Sequence, residues 1–116
     1  MNAYQDTPLY KQADTMLLAV QADLPNLDGP LLPHSAKDRV LKQAVRTVAS
    51  VAQVLSPPVT EDSTRATTNG YSLRALRNCL KLESMFRSYA ILAGNSSRTD
   101  FPCYAAIRKL YDMLSR

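Results

Sequence analysis

The chain has 116 residues, 46% of them hydrophobic and 21% charged, with a formal net charge of +4. That length holds one hydrophobic core but not two, and that composition excludes a chain disordered throughout. The moderate basic excess permits an anionic partner without specifying one, and apolar runs of only a few residues exclude a membrane-crossing helix.

A first helix is expected over about 8–23. Thr7 supplies a capping hydroxyl, and Pro8 takes the first helical position, where a missing N–H costs nothing. Leu9, Ala13, Met16, Leu17, Val20 and Leu24 then recur at spacings of three and four, which marks one apolar face. Pro25 ends the run. The polar opening Met1–Pro8 lacks the charged and apolar regions of a signal peptide, so the expected location is the cytoplasm.

Pro25, Gly29, Pro30 and Pro33 make the stretch from Pro25 to His34 a loop. Leu24, Leu27, Leu31 and Leu32 are expected to pin that loop over one end of the protein.

The second helix is expected over about 36–55. Ser35 with Asp38 three residues later is a variant of the capping box. Val40, Leu41, Ala44, Val45, Val48, Val51, Ala52 and Leu55 form its predicted buried stripe. Pro57 and Pro58 stop it. Residues 56–70, SPPVTEDSTRATTNG, form the most polar stretch and read as a mobile connection.

A third helix is expected over about 71–93, with Leu73, Leu76, Leu80, Phe86, Tyr89 and Ala90 on its apolar side and Gly94-Asn95 as its stop. The fourth, about 101–115, begins after Thr99 or Asp100 and buries Cys103, Ile107, Leu110, Tyr111 and Leu114. Four helices and no strand pattern give an all-α protein, a single antiparallel four-helix bundle over 1–116.

Little in this chain looks catalytic. His34 is the sole histidine and has no cysteine or second histidine near it in sequence. No nucleophile elbow, metalloprotease helix or phosphate-binding glycine loop occurs. Cys79 and Cys103 are isolated and are expected to pack as small apolar side chains. The expectation is a protein that is not an enzyme, with no cofactor and no metal. Tyr10, Tyr71, Tyr89, Tyr104 and Tyr111 lie on or beside apolar stripes and are expected to pack there, with the hydroxyl at the rim.

The cations are more informative. Arg39, Lys42 and Arg46 follow i, i+3, i+7 spacing and share one helical face, with Lys37 near its start. Arg74, Arg77 and Lys81 repeat that spacing on the third helix. Asp38 is the one obvious partner, for Lys42, whereas Glu83 and Arg87 are spaced to stabilise each other. Arg108, Lys109 and Arg116 form a third group. Charged stripes are usually just solvated faces. Repetition on two helices with little neutralisation favours a phosphate backbone, bound through many modest, salt-sensitive contacts. Nothing points to base-specific recognition.

The segment TPLYKQADTMLLAV, from Thr7 to Val20, resembles the first helix of a family of small bacterial four-helix-bundle proteins. That family includes the accessory variability determinants of diversity-generating retroelements and the ribosomal-RNA intervening-sequence proteins. The resemblance continues through Leu24-Pro25, a long second helix, LRALRNCLKLESMFRSYAILAG from Leu73 to Gly94, and FPCYAAIRKLYDMLSR at the end. It departs from the family at LPNLDGPLLPHSAKDRV, which lacks the usual Pro-Arg turn and Leu-Gly pair, and in having no tryptophan.

The resemblance implies a homopentameric barrel that binds the retroelement's RNA or DNA and its reverse transcriptase, with no membrane role. Such a protein supports mutagenic reverse transcription and retrohoming without catalysing either. Arg39, Lys42, Arg46, Arg74, Arg77, Lys81 and Arg87 are the expected contacts to nucleic acid or polymerase. The alternative is a helical interaction or assembly factor, phage or plasmid encoded, with no nucleic-acid role.

Overall fold

A computed structural model of the chain describes residues 6–56, 65–94 and 101–116, with only the backbone of 65–69. The described residues form four helices: α1 (Pro8–Asp23), α2 (Ala36–Leu55), α3 (Arg65–Leu92) and α4 (Pro102–Leu114). A short 3₁₀ turn, Leu24–Asn26, follows α1. No strand occurs among the described residues, and no helix there is long and apolar enough to cross a membrane.

Each helix packs chiefly against two others, in the cyclic order α1–α2–α3–α4. The core is one cluster that includes Met16, Val20, Leu27, Val40, Val51, Leu82, Phe86, Ile107 and Leu110. Phe86, Phe101 and Tyr104 meet edge to face at centroid separations of 5.1–5.7 Å, tying the end of α3 to the start of α4.

Helix ends divide between local and long-range caps. Thr7 caps α1 as expected, its hydroxyl accepting from the Tyr10 N–H at 3.2 Å. Gly94 stops α3 with φ at +79°, a conformation cheap only for glycine, while its N–H donates to the Ile91 carbonyl. The expected Ser35 capping box does not form. Ser35 has helical backbone angles and makes no side-chain cap hydrogen bond, and the turn before the helix is closed by the Ala36 N–H donating to the Pro33 carbonyl. Asp23, at the far end of α1, caps α4: its Oδ2 accepts from the Cys103 N–H at 2.8 Å in a buried setting.

α3 begins at Arg65, six residues before the expected Tyr71. Polar composition suggested a loop there, but no proline interrupts 65–70, and a long helix already propagating tolerates Gly70 at a modest cost. The remaining part of the expected mobile connection, 57–64, and the expected boundary residues Asn95, Thr99 and Asp100 lie outside the described residues.

The apolar stripes differ from expectation in a consistent way. Val40, Ala44 and Val51 are buried on α2, but Val45 is 50% exposed. Gln43, Thr47 and Ser50 are buried in its place. On α3, Ala75, Cys79 and Leu82 enter the core, while Leu73 and Leu80 are 48% and 47% exposed. Leu27 is fully buried and Leu32 packs on the core, but Leu31 points outward.

The buried polar residues explain the α2 rotation. Gln43 Nε2 donates to the Asn78 carbonyl at 3.2 Å and lies 3.3 Å from Asn78 Oδ1. Thr47 Oγ1 donates to the Gln43 carbonyl at 2.8 Å, and Ser50 Oγ to the Thr47 carbonyl at 2.7 Å. The bonds from Gln43 and Thr47 to Asn78 turn the polar flank of α2 toward α3, while bonds to the helix's own carbonyls satisfy Thr47 and Ser50 within α2. A satisfied buried seam of this kind costs little and fixes the pairing of two helices.

Candidate nucleic-acid interface

Arg39, Lys42, Arg46, Arg74, Arg77 and Lys81 are all exposed. Their relation across helices follows from the seam. Gln43 and Thr47 both reach Asn78, so the flank of α2 beside them faces the flank of α3 beside Asn78. Helical spacing of 100° per residue puts Arg39, Lys42 and Arg46 on that flank of α2. It puts Arg74 and Lys81 on the matching flank of α3, with Arg77 pointing straight outward.

α2 and α3 are successive neighbours that run in opposite directions. Arg46 therefore lies level with Arg77, and Lys42 with Lys81. Two separate triplets in the sequence become one strip on the outer α2/α3 surface.

Neutralisation of the strip is slight. Among the described residues its one ion pair is Lys42 Nζ to Asp38 Oδ2 at 3.1 Å, between two mostly exposed side chains. Such a pair is screened by solvent and contributes little. The other five cations stand without an ion pair among the described residues.

Arg87 is placed differently. It lies on the α4-facing side of α3, 3.7 Å from Glu83, and its guanidinium stacks 4.0 Å above the Tyr104 ring. Arg108 binds the same Glu83 carboxylate through Nε at 2.8 Å and Nη2 at 3.0 Å, a bidentate geometry. That contact holds the Arg108 guanidinium above its already high pKa, chiefly by hydrogen bonding to Glu83. Arg87 is thus a packing and pairing residue on a different face from the six strip cations.

The nucleophile-bearing side chains are insulated. Burial pushes the Cys79 thiol up to about 12. Cys103 is raised by burial first and then by the Asp23 carboxylate beside it. Neither thiol forms a thiolate near neutral pH.

Sequence reasoning missed three residues. Asp23 and Gln43 act between helices distant in the chain, where no local spacing announces them. Lys11, a single lysine on α1, sits in a cleft of about 670 Å³ with Arg108, Lys109 and Arg116 of α4. Only the fold brings those cations together. Comparison of the chain with protein-family models, curated proteins and solved structures finds no match.

Proposed function

We propose that this is a non-catalytic accessory protein that binds nucleic acid through the outer α2/α3 surface. The observation that carries the reading is the merging of two cationic triplets into one strip with, among the described residues, a single weak ion pair. Arg39, Lys42, Arg46, Arg74, Arg77 and Lys81 contact phosphates; they displace counterions and read no bases. The resemblance of Thr7–Val20, Leu73–Gly94 and Phe101–Arg116 to accessory variability determinants extends the proposal. In it the bound nucleic acid is that of a diversity-generating retroelement, and the second partner is the reverse transcriptase that copies it with errors.

The apolar residues left exposed (Val45, Leu73 and Leu80) and their half-buried neighbours fit an assembly of copies. Leu41, Val45, Val48 and Ala52 line the flank of α2 that faces α1, whereas Leu73, Leu76 and Leu80 line the flank of α3 that faces α4. These are different surfaces on opposite sides of the bundle, as head-to-tail contact in a closed ring requires. The proposed ring has five members, as in the family the chain resembles, and repeats the cationic strip around its circumference.

The same exposed leucines and valine favour the second reading, an assembly factor without nucleic acid. A filter-binding titration with a structured RNA at two salt concentrations separates them. The proposal predicts binding at low salt and a steep loss at the higher concentration. RNA binding that is absent at low salt leaves the assembly reading.

A further inference from the structure

The side of the bundle opposite the α2/α3 strip is also cationic, and it is concave. Pro8, Lys11, Gln12 and Thr15 of α1 form one wall of the cleft introduced above; Ala105, Arg108, Lys109 and Asp112 are in the other, with Arg116 at its end. The buried Gln12 fixes its floor, donating from Nε2 to the Ala106 carbonyl at 3.1 Å across the two helices.

Among the described residues, four cationic side chains line this space against one acidic side chain, Asp112. Arg108 spends Nε and Nη2 on Glu83, which lies outside the cleft lining. Lys11, Lys109 and Arg116 are exposed and have no ion pair among the described residues.

We propose that this α1/α4 cleft is a second phosphate-backbone site, which seats a segment of single-stranded nucleic acid. A concave channel between two helices admits one backbone, whereas a duplex needs a broader surface such as the α2/α3 strip. Among the described residues the cleft is lined by no aromatic ring, so binding there rests on phosphate contacts without the base stacking that single-strand sites usually add. An acidic peptide is disfavoured, since Pro8, Ala105 and Met113 give few apolar anchors of the kind protein interfaces centre on. The site shares a ligand class with the proposed α2/α3 interface but none of its residues. A protomer with both sites grips two lengths of a nucleic acid at once, one on each side.

The test is a backbone-amide NMR titration with a short oligouridylate, on the wild type, on Lys11→Gln/Lys109→Gln and on Arg46→Gln/Arg77→Gln. The expected result is movement of the Lys11, Thr15 and Lys109 amides in the wild type and in Arg46→Gln/Arg77→Gln. That movement is lost in Lys11→Gln/Lys109→Gln, and the log–log salt slope of binding becomes shallower by about 1.4 for two lost contacts. Circular dichroism of each variant checks that the helices remain. Still cleft amides in the wild type overturn the proposal, whether or not the α2/α3 amides move. Cleft amides that respond to polyglutamate but not to oligouridylate overturn it too, and assign the cleft to an acidic protein. Movement confined to the cleft sustains this site, and the α2/α3 interface is then judged by the structured-RNA titration.

Discussion

Asp23 shows how a side chain with no sequence signal comes to matter. Read along the chain it is a polar residue near a helix end; folded, its buried carboxylate supplies the cap that α4 lacks locally, since Phe101 offers no hydroxyl or carboxylate. Replacing it with alanine leaves the Cys103 N–H buried without a partner. The expected loss is about 1–3 kcal/mol of unfolding free energy by urea titration. Gly29 is a second such position, because a Cβ there would stand 2.9 Å from the Ala93 Cα and 3.1 Å from its carbonyl oxygen. Backbone atoms cannot swing aside, so Gly29→Ala is expected to cost about 1–3 kcal/mol in the same measurement. The cysteines were legible as packing residues, and their chemistry follows. Both folded thiols lie above the unfolded value of about 8.5, so the stability linked to them is intact below that pH and is lost as pH rises toward about 12. Denaturant midpoints are expected to fall above about pH 8.5, less steeply in Cys79→Ala, and iodoacetamide is expected to label neither thiol until the protein unfolds.

At the scale of the helix, periodicity located α1, α2 and α4 to within about a residue at each end, because proline and glycine punctuate them and apolar spacing fills them. Helix α3 was the exception at its start, where threonine, asparagine and glycine conceal helix that a long neighbouring segment propagates. The orientation of α2 was also concealed. Hydrophobic identity placed Val45 in the core, yet Gln43, Thr47 and Ser50 occupy the inner flank because Asn78 and the helix's own carbonyls satisfy them. Sequence alone does not reveal that a buried glutamine will meet its partner 35 residues away. The consequence is an apolar flank beyond what one protomer needs. Val45→Asp and Leu80→Asp each replace a half-exposed apolar side chain, so monomer stability is expected to fall by no more than about 1.5 kcal/mol. Sedimentation velocity is expected to show a smaller species for both. Assembly unchanged in both variants contradicts the ring.

Across the whole molecule, the four outer surfaces alternate in character. Cations occupy the α2/α3 surface and the α1/α4 cleft, while exposed apolar residues occupy the two surfaces between them. The strip was half legible in the sequence: each triplet showed by its i, i+3, i+7 spacing, but their union depends on the Gln43–Asn78 seam. Arg87 was legible as the i, i+4 partner of Glu83, but its stacking on Tyr104 and its place on the α4-facing side of α3 depend on the fold. In the proposed function charge acts through the number of phosphates neutralised, and that number is read directly from salt dependence. The decisive measurement compares the wild type with Arg74→Gln/Arg77→Gln in binding a structured RNA across a range of salt concentrations. Thermal stability is expected to be unchanged, affinity at low salt reduced, and the log–log slope shallower by about 1.4–1.8. A double variant that binds as tightly as the wild type, with the same slope, contradicts the claim that the α2/α3 strip holds the phosphate backbone.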